Sequence, residues 1–158
     1  RKLIYSIFLL FITVINLSGC SNESNAETST YPGLYEFTEP LSFPFEIDDK
    51  SSNVEIYQPY QFVYHYLNQA TTQQIHYILS KVPTEPEKYE LTKETEVYKL
   101  ENGLPVYYEE DSTSQSLWWE REDGFLARYV YFINGNSSEL GVYKLKVDDL
   151  VNLANQVQ

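Results

Sequence analysis

The 158-residue chain sets 23 acidic side chains against 11 basic ones, a net charge of −12, and such a surface repels the phosphates of nucleic acid and anionic lipid headgroups. Nucleic-acid binding is therefore excluded. A composition that is 42% hydrophobic and 16% aromatic is that of a chain able to bury a core, and the length suits one domain. The single cysteine excludes an intrachain disulfide.

The chain opens on a cationic pair, Arg1-Lys2, followed by an uncharged apolar run from Leu3 to Leu17. A helix of that length reaches about 22 Å, short of the roughly 30 Å hydrocarbon core of a bilayer. Length and flanks predict a signal peptide, residues 1–19, rather than a membrane span. The run ends in Leu17-Ser18-Gly19-Cys20: an aliphatic residue, two small ones, then the cysteine. Together with the leader, this resembles the lipobox of bacterial lipoproteins. The resemblance implies diacylglyceryl modification of the Cys20 thiol, cleavage just before it and attachment to a membrane through lipid. Ser21 to Thr30, SNESNAETST, contains no large apolar residue and is expected to be a flexible tether over residues 20–30. The globular domain is expected over residues 31–158. Its first stretch, Tyr31 to Phe45, mixes proline with aromatics and is predicted to lie extended across the domain.

From Gln61 onward the chain alternates in the manner of strands. A first hairpin joins Gln61–Asn68 to Gln73–Lys81. One face carries Phe62, Tyr64, Tyr66, Ile75, Tyr77 and Leu79; the other carries Val63, His65, Leu67, Gln74, His76 and Ile78. The aromatic face is the expected core side. A second hairpin, Thr95–Glu101 to Leu104–Glu110, turns at Asn102-Gly103; read as a two-residue type I′ turn, it places Val97, Leu104, Val106 and Tyr108 on one face. Pro105 lacks an N–H, which predicts an edge strand or a non-bonded position. A third hairpin, Gln115–Glu122 to Phe125–Ile133, turns at Asp123-Gly124. The same turn type puts Trp118 with Phe125, Ala127, Tyr129, Tyr131 and Ile133, and sets Trp119 opposite Arg128 as a cation–π pair of about 0.5–1 kcal/mol. Asn134–Ser138 reads as a loop and Leu140–Leu145 as a last strand. Leu150, Leu153, Ala154 and Val157 recur at helical spacing, so a closing helix is predicted over Asp148–Gln156 with Asp148 and Asp149 at its start. The expected class is α+β: a mainly antiparallel meander of six or seven strands with a short C-terminal helix packed on it.

Three pieces of the C-terminal half, Asn102-Gly103-Leu104-Pro105-Val106-Tyr107-Tyr108, Trp119-Glu120-Arg121-Glu122-Asp123-Gly124-Phe125 and Leu150-Val151-Asn152-Leu153-Ala154, form a further pattern. Over Glu94–Val157 it resembles a family of uncharacterised domains found in Firmicutes lipoproteins and in the extracellular parts of anti-sigma-like membrane proteins. That resemblance implies no catalytic residue.

No G-x-S-x-G nucleophile turn or phosphate-cradling glycine loop is present. His65 and His76 are the only histidines and stand opposite each other in the first hairpin. Two imidazoles can ligate a transition metal, but a catalytic zinc site takes three protein ligands, and no carboxylate at fixed spacing supplies the third. No catalytic residue, metal or other cofactor is therefore assigned; juxtaposed imidazoles can still make the hairpin pH-sensitive. Tyr64, Tyr66, Tyr107 and Trp119 are the candidates for a binding surface, since an aromatic ring stacks on peptide or cell-wall glycan while its polar edge hydrogen-bonds. Alternating tyrosine can equally fill both faces of a small sheet. The expected protein is non-enzymatic and lipid-anchored through Cys20 on the outer face of the cytoplasmic membrane. There it acts as an interaction or regulatory module toward an envelope protein, or alternatively binds a solute, peptide or cell-wall glycan.

Overall fold

The computed structural model describes residues 28–31, 35–57, 60–81 and 91–158. Among them, β1 (Thr28–Tyr31) pairs with β2 (Tyr35–Thr38) as a small separate ribbon. Seven further strands make one sheet: β3 (Asp49–Tyr57), β4 (Tyr60–Leu67), β5 (Gln73–Lys81), β6 (Glu96–Lys99), β7 (Pro105–Glu110), β8 (Ser114–Glu120) and β9 (Leu126–Ile133). Their order is β3-β4-β5-β9-β8-β7-β6, antiparallel at every joint. Two meanders thus meet where β5 pairs with β9. Helix α1 (Val147–Asn155) closes one face, so the class is α+β, as the pattern of the sequence indicates.

The β4–β5 hairpin has the expected register, with Phe62 opposite Leu79, Tyr64 opposite Tyr77 and His65 opposite His76. Its loop, Gln69–Thr72, closes when Asn68 donates its backbone N–H to the Gln73 carbonyl at 2.9 Å. The Asn68 side chain accepts the Thr71 N–H at 2.9 Å, and Thr72 takes the left-handed conformation at φ 58°. The aromatic face points inward: Phe62, Tyr64, Tyr66, Ile75, Tyr77 and Leu79 are all buried.

The other two hairpins depart from expectation by one residue each, for one shared reason. Gly103 donates its N–H to the Leu100 carbonyl and Leu100 donates its N–H to the Leu104 carbonyl, both at 2.9 Å. Gly124 and Arg121 repeat this with Arg121 and Phe125 at 3.1 and 2.8 Å. Each loop therefore has three residues, Glu-Asn-Gly and Glu-Asp-Gly, built as a type I turn with glycine in the left-handed position. Gly103 lies at φ 87° and Gly124 at φ 79°, whereas Asn102 and Asp123 are not among the residues with positive φ. Their side chains instead accept the N–H two residues on, from Leu104 at 3.0 Å and from Phe125 at 3.1 Å. The extra loop residue flips the incoming strand of each hairpin. Val97 pairs with Tyr107, leaves the Val106 face and is 57% exposed. Trp118, not Trp119, stands opposite Arg128, and Trp119 pairs with Ala127 inside the core.

Pro105 is the first residue of β7, an interior strand, where it pairs with Lys99 beyond the stretch that β8 covers. Leu140–Leu145 forms no strand: a 3-10 turn occupies Gly141–Tyr143, and Gly141 has φ 50°. The buried Gln115 side chain stands in for a ladder there, accepting the Leu145 N–H and donating to the Leu145 carbonyl, both at 2.9 Å.

Helix α1 starts one residue before the predicted position; the Asp149 carboxylate accepts the Lys146 N–H at its entry. Leu150, Leu153 and Ala154 are buried, as is Val157 just beyond. The Tyr35–Phe45 stretch lies along the same side, with Phe37 packed on Phe62 and Phe125, and Phe43 on Tyr66. Gln156 ties it to the helix end, accepting the N–H groups of Leu41 and Ser42 at 2.9 and 3.0 Å and donating to the Ser42 carbonyl at 3.0 Å.

Replacement of Gly124 or Gly103 by alanine is expected to cost about 1–2 kcal/mol each, the penalty of a left-handed L-residue. Nothing lies within 4 Å of the added methyl at either position, so backbone conformation alone sets the loss. Asparagine at the same sites, more tolerant of that conformation, should lose less. Urea denaturation of the variants checks both statements; an unchanged midpoint for the alanine forms contradicts the three-residue loops.

Candidate functional site

The aromatic candidates divide between the two faces. Tyr64, Tyr66 and Trp119 lie within the core on the helix side, at most 1% exposed, and so present no surface. Tyr64 stacks on Tyr77 and Trp119 packs on Tyr129. Tyr107 alone of the four is on the opposite face, half-buried. Cys20 lies outside the described residues.

Within the core, Tyr66, Tyr77, Tyr129 and Tyr131 have their hydroxyls hydrogen-bonded. Tyr66 donates to the Glu39 carboxylate at 2.6 Å, and the Lys50 ammonium meets the same oxygen at 3.0 Å. Tyr131 donates to the Tyr143 carbonyl at 2.7 Å and Tyr129 to the Leu153 carbonyl at 3.3 Å. Arg121 reaches the Tyr77 hydroxyl at 3.2 Å and the Val157 carbonyl at 2.8 Å. Burial pushes the phenols of Tyr66, Tyr77 and Tyr129 well above their ordinary value; the Glu39 carboxylate adds to this at Tyr66, while Arg121 opposes it at Tyr77.

The face away from the helix carries the remaining chemistry. One row of cross-strand partners runs Val63, Ile78, Arg128, Trp118, Tyr107 from β4 to β7. Tyr107 stacks on Trp118 with ring centroids 6.0 Å apart, and the Arg128 guanidinium sits 5.9 Å from the Trp118 ring. Trp118 is only 7% exposed, yet its indole N–H has no acceptor among the described residues. The indole of Trp119 is likewise without one, inside the core. A buried donor left unpaired costs about 1–3 kcal/mol. Leu91–Thr95, the stretch leading into β6, meets this same face, where Thr92 and Thr95 both donate their hydroxyls to Glu109.

The neighbouring row contains the histidines. His65 and His76 face each other with Nδ1 of the first 3.0 Å from Nε2 of the second, and Asn53 of β3 holds the other nitrogen of His65 at 2.7 Å. The edge of the Phe132 ring packs on His76 at 4.9 Å between centroids. Asn53 is the member the sequence does not reveal: β3 reads Asp-Lys-Ser-Ser-Asn-Val, without the apolar alternation that marks a strand. Among the described residues, no group of three or more His, Cys, Asp or Glu side chains is placed to hold a metal ion. No described helix is long and apolar enough to cross a membrane.

No family model, curated protein or solved structure matches this chain.

Two measurements follow from this division of faces. Trp119→Ala should lose about 3–5 kcal/mol, as for a large aromatic removed from a packed core, and Tyr107→Ala about 1 kcal/mol or less. Equal losses in urea denaturation would contradict the assignment of faces. Separately, tyrosine ionises near pH 10 in an unfolded chain. A folded-state value above that means the stability from Tyr66, Tyr77 and Tyr129 is complete below pH 10 and is lost as pH rises beyond it. Absorbance titration at 295 nm should therefore show a class of tyrosines that ionises only together with alkaline unfolding.

Proposed function

We propose that this is a non-enzymatic lipoprotein, held on the outer face of the cytoplasmic membrane through lipid on Cys20, whose folded domain is an interaction module toward an envelope protein. The observation that carries the anchoring is the leader: a cationic pair, an apolar run too short to span, then Leu17-Ser18-Gly19-Cys20. Two or more acyl chains on one thiol-bearing terminus hold firmly, at about 0.8 kcal/mol per buried methylene. An acidic body repelled from anionic headgroups suits a domain standing off on the polar stretch that precedes β1.

Supporting the interaction module is the face opposite α1. The half-buried Tyr107 offers an aromatic ring stacked on Trp118, and Arg128 offers an exposed cation beside it. Aromatics and arginine are the residue types that dominate protein interfaces. His65 engages both its ring nitrogens, with Asn53 and His76, and so is not poised as a free general base. The stacked Tyr107–Trp118 pair also suits the second reading, a domain that holds cell-wall glycan or peptide.

Cys20→Ala should release the protein from the membrane fraction or leave the leader uncleaved. Normal processing with unchanged membrane retention would refute lipid anchoring. For the module, a photo-crosslinking residue in place of Tyr107 in living cells should capture a protein that the same residue at Val142, 96% exposed in the Gly141–Tyr143 turn, does not. Adducts to glycan alone favour the second reading, and identical products from both positions contradict a specific face.

A further inference from the structure

His65 and His76 occupy a position where two strands bring their side chains closest. The loop-closing pair Asn68/Gln73 is hydrogen-bonded, so alternation along the antiparallel ladder makes Tyr66/Ile75 and Tyr64/Tyr77 bonded pairs and His65/His76 a non-bonded one. In such pairs the Cα atoms approach to about 4.5 Å and the side chains stand side by side. The two rings meet nearly perpendicular, at 81°, with centroids 4.3 Å apart. Both strands lie in the interior of the sheet, β4 flanked by β3 and β5 by β9, which gives the two Cβ atoms a rigid mounting.

Asn53 decides what the pair can do. Its Oδ1 lies 2.7 Å from His65 Nε2, and an amide oxygen only accepts. Nε2 therefore carries the hydrogen, and in the neutral ring the lone pair is on Nδ1, the atom that faces His76 Nε2 at 3.0 Å. Fixing one ring nitrogen so that the other presents its lone pair is how protein metal sites orient their histidines. The Phe132 ring against His76 limits rotation of the second imidazole. The spacing is also right: two nitrogens each about 2.0–2.1 Å from one ion, at adjacent positions of a tetrahedral or octahedral sphere, lie roughly 2.9–3.4 Å apart.

We propose that Nδ1 of His65 and Nε2 of His76 form a two-histidine site for an imidazole-favouring divalent transition ion, with Asn53 as the positioning residue. In the metal-free pair, His76 Nε2–H donates to His65 Nδ1. On binding, that hydrogen moves to His76 Nδ1, so both rings stay neutral, two N–metal bonds form and two waters leave the hydrated ion. Water retains the other coordination positions, since no third His, Cys, Asp or Glu joins the pair among the described residues. Ordinary ligand-field preference ranks Cu²⁺ above Zn²⁺ for such a pair. The net charge of −12 raises the local concentration of cations around it.

The test uses the full chain stripped with a chelator, with Cys20 kept in every variant so that any thiol contribution is common to all. Calorimetric titration with Zn²⁺ should show one ion per chain that His65→Ala and His76→Gln each weaken at least tenfold. Asn53→Leu should weaken it by about 10- to 100-fold, the usual range for an orienting partner. Circular dichroism of the variants separates loss of the site from loss of the fold. Electron paramagnetic resonance of the Cu²⁺-loaded chain should show superhyperfine coupling to two imidazole nitrogens, and to at most one in either histidine variant. Zn²⁺ affinity unchanged by either histidine substitution, or a wild-type Cu²⁺ spectrum with fewer than two coupled nitrogens, overturns the proposal. If the pair is only a hydrogen bond between rings, the wild-type chain takes up no more ion than the variants, which overturns it equally.

Discussion

The bond from Asn68 N–H to the Gln73 carbonyl sets the register from which the first three strands of the large sheet are counted. Side chains alternate with a period of two, so a slip of one residue in β4 would send Phe62, Tyr64 and Tyr66 to the outside and bring His65 into the core. The loop guards against this. Asn68 uses its side chain to hold Thr71, and Thr72 accepts a left-handed conformation that a threonine adopts only where its surroundings insist. The Thr72 carbonyl then receives the Asn134 N–H at 3.1 Å, which passes the register on to β9 and so to the second meander.

A core built on tyrosine has a consequence that a core of leucine would not. A buried hydroxyl calls for a partner, and those of Tyr129, Tyr131 and Tyr66 find theirs in the layer above the sheet: the Leu153 carbonyl of α1, the Tyr143 carbonyl of the turn before it, and Glu39 of the crossing N-terminal segment. Burial supplies most of the stabilisation, and the hydroxyls specify where each covering element sits. Glu39 illustrates the balance. A carboxylate that is 2% exposed is costly to bury, and it is tolerated because Tyr66 and Lys50 both engage it.

The sequence revealed what depends on period and concealed what depends on one residue of loop. The β4–β5 faces and the helical stripe Leu150, Leu153, Ala154, Val157 were legible because hydrophobic spacing states them directly. The two Asx-Gly turns were legible as turns but not as registers. Asn-Gly and Asp-Gly serve both a two-residue type I′ loop and the last two positions of a three-residue loop, and only the backbone angle of Asn102 and Asp123 tells them apart. The helix-proximal strand Leu140–Leu145 misled for a different reason: its apolar spacing is that of a strand, but the Gln115 side chain satisfies the backbone that a strand would need a neighbour to satisfy. β3 was hidden by its serines and asparagine, and with it Asn53, which no local pattern connects to a histidine twelve residues away.

The flipped Trp118 changes how the two faces should be weighed. Had Trp118 pointed inward as a type I′ turn requires, the outer face would hold Trp119 beside Arg128. As it stands, an indole, a phenol and a guanidinium form one layer, and an imidazole pair lies one row along the same face. On the inner face, the hydroxyls of Tyr66, Tyr77, Tyr129 and Tyr131 bond to the protein's own backbone or side chains, which is how packing is stabilised. The Trp118 N–H on the outer face and the Trp119 N–H in the core both lack an acceptor among the described residues. What sets the outer face apart is therefore the half-buried Tyr107 ring, stacked on Trp118 beside the exposed Arg128 guanidinium.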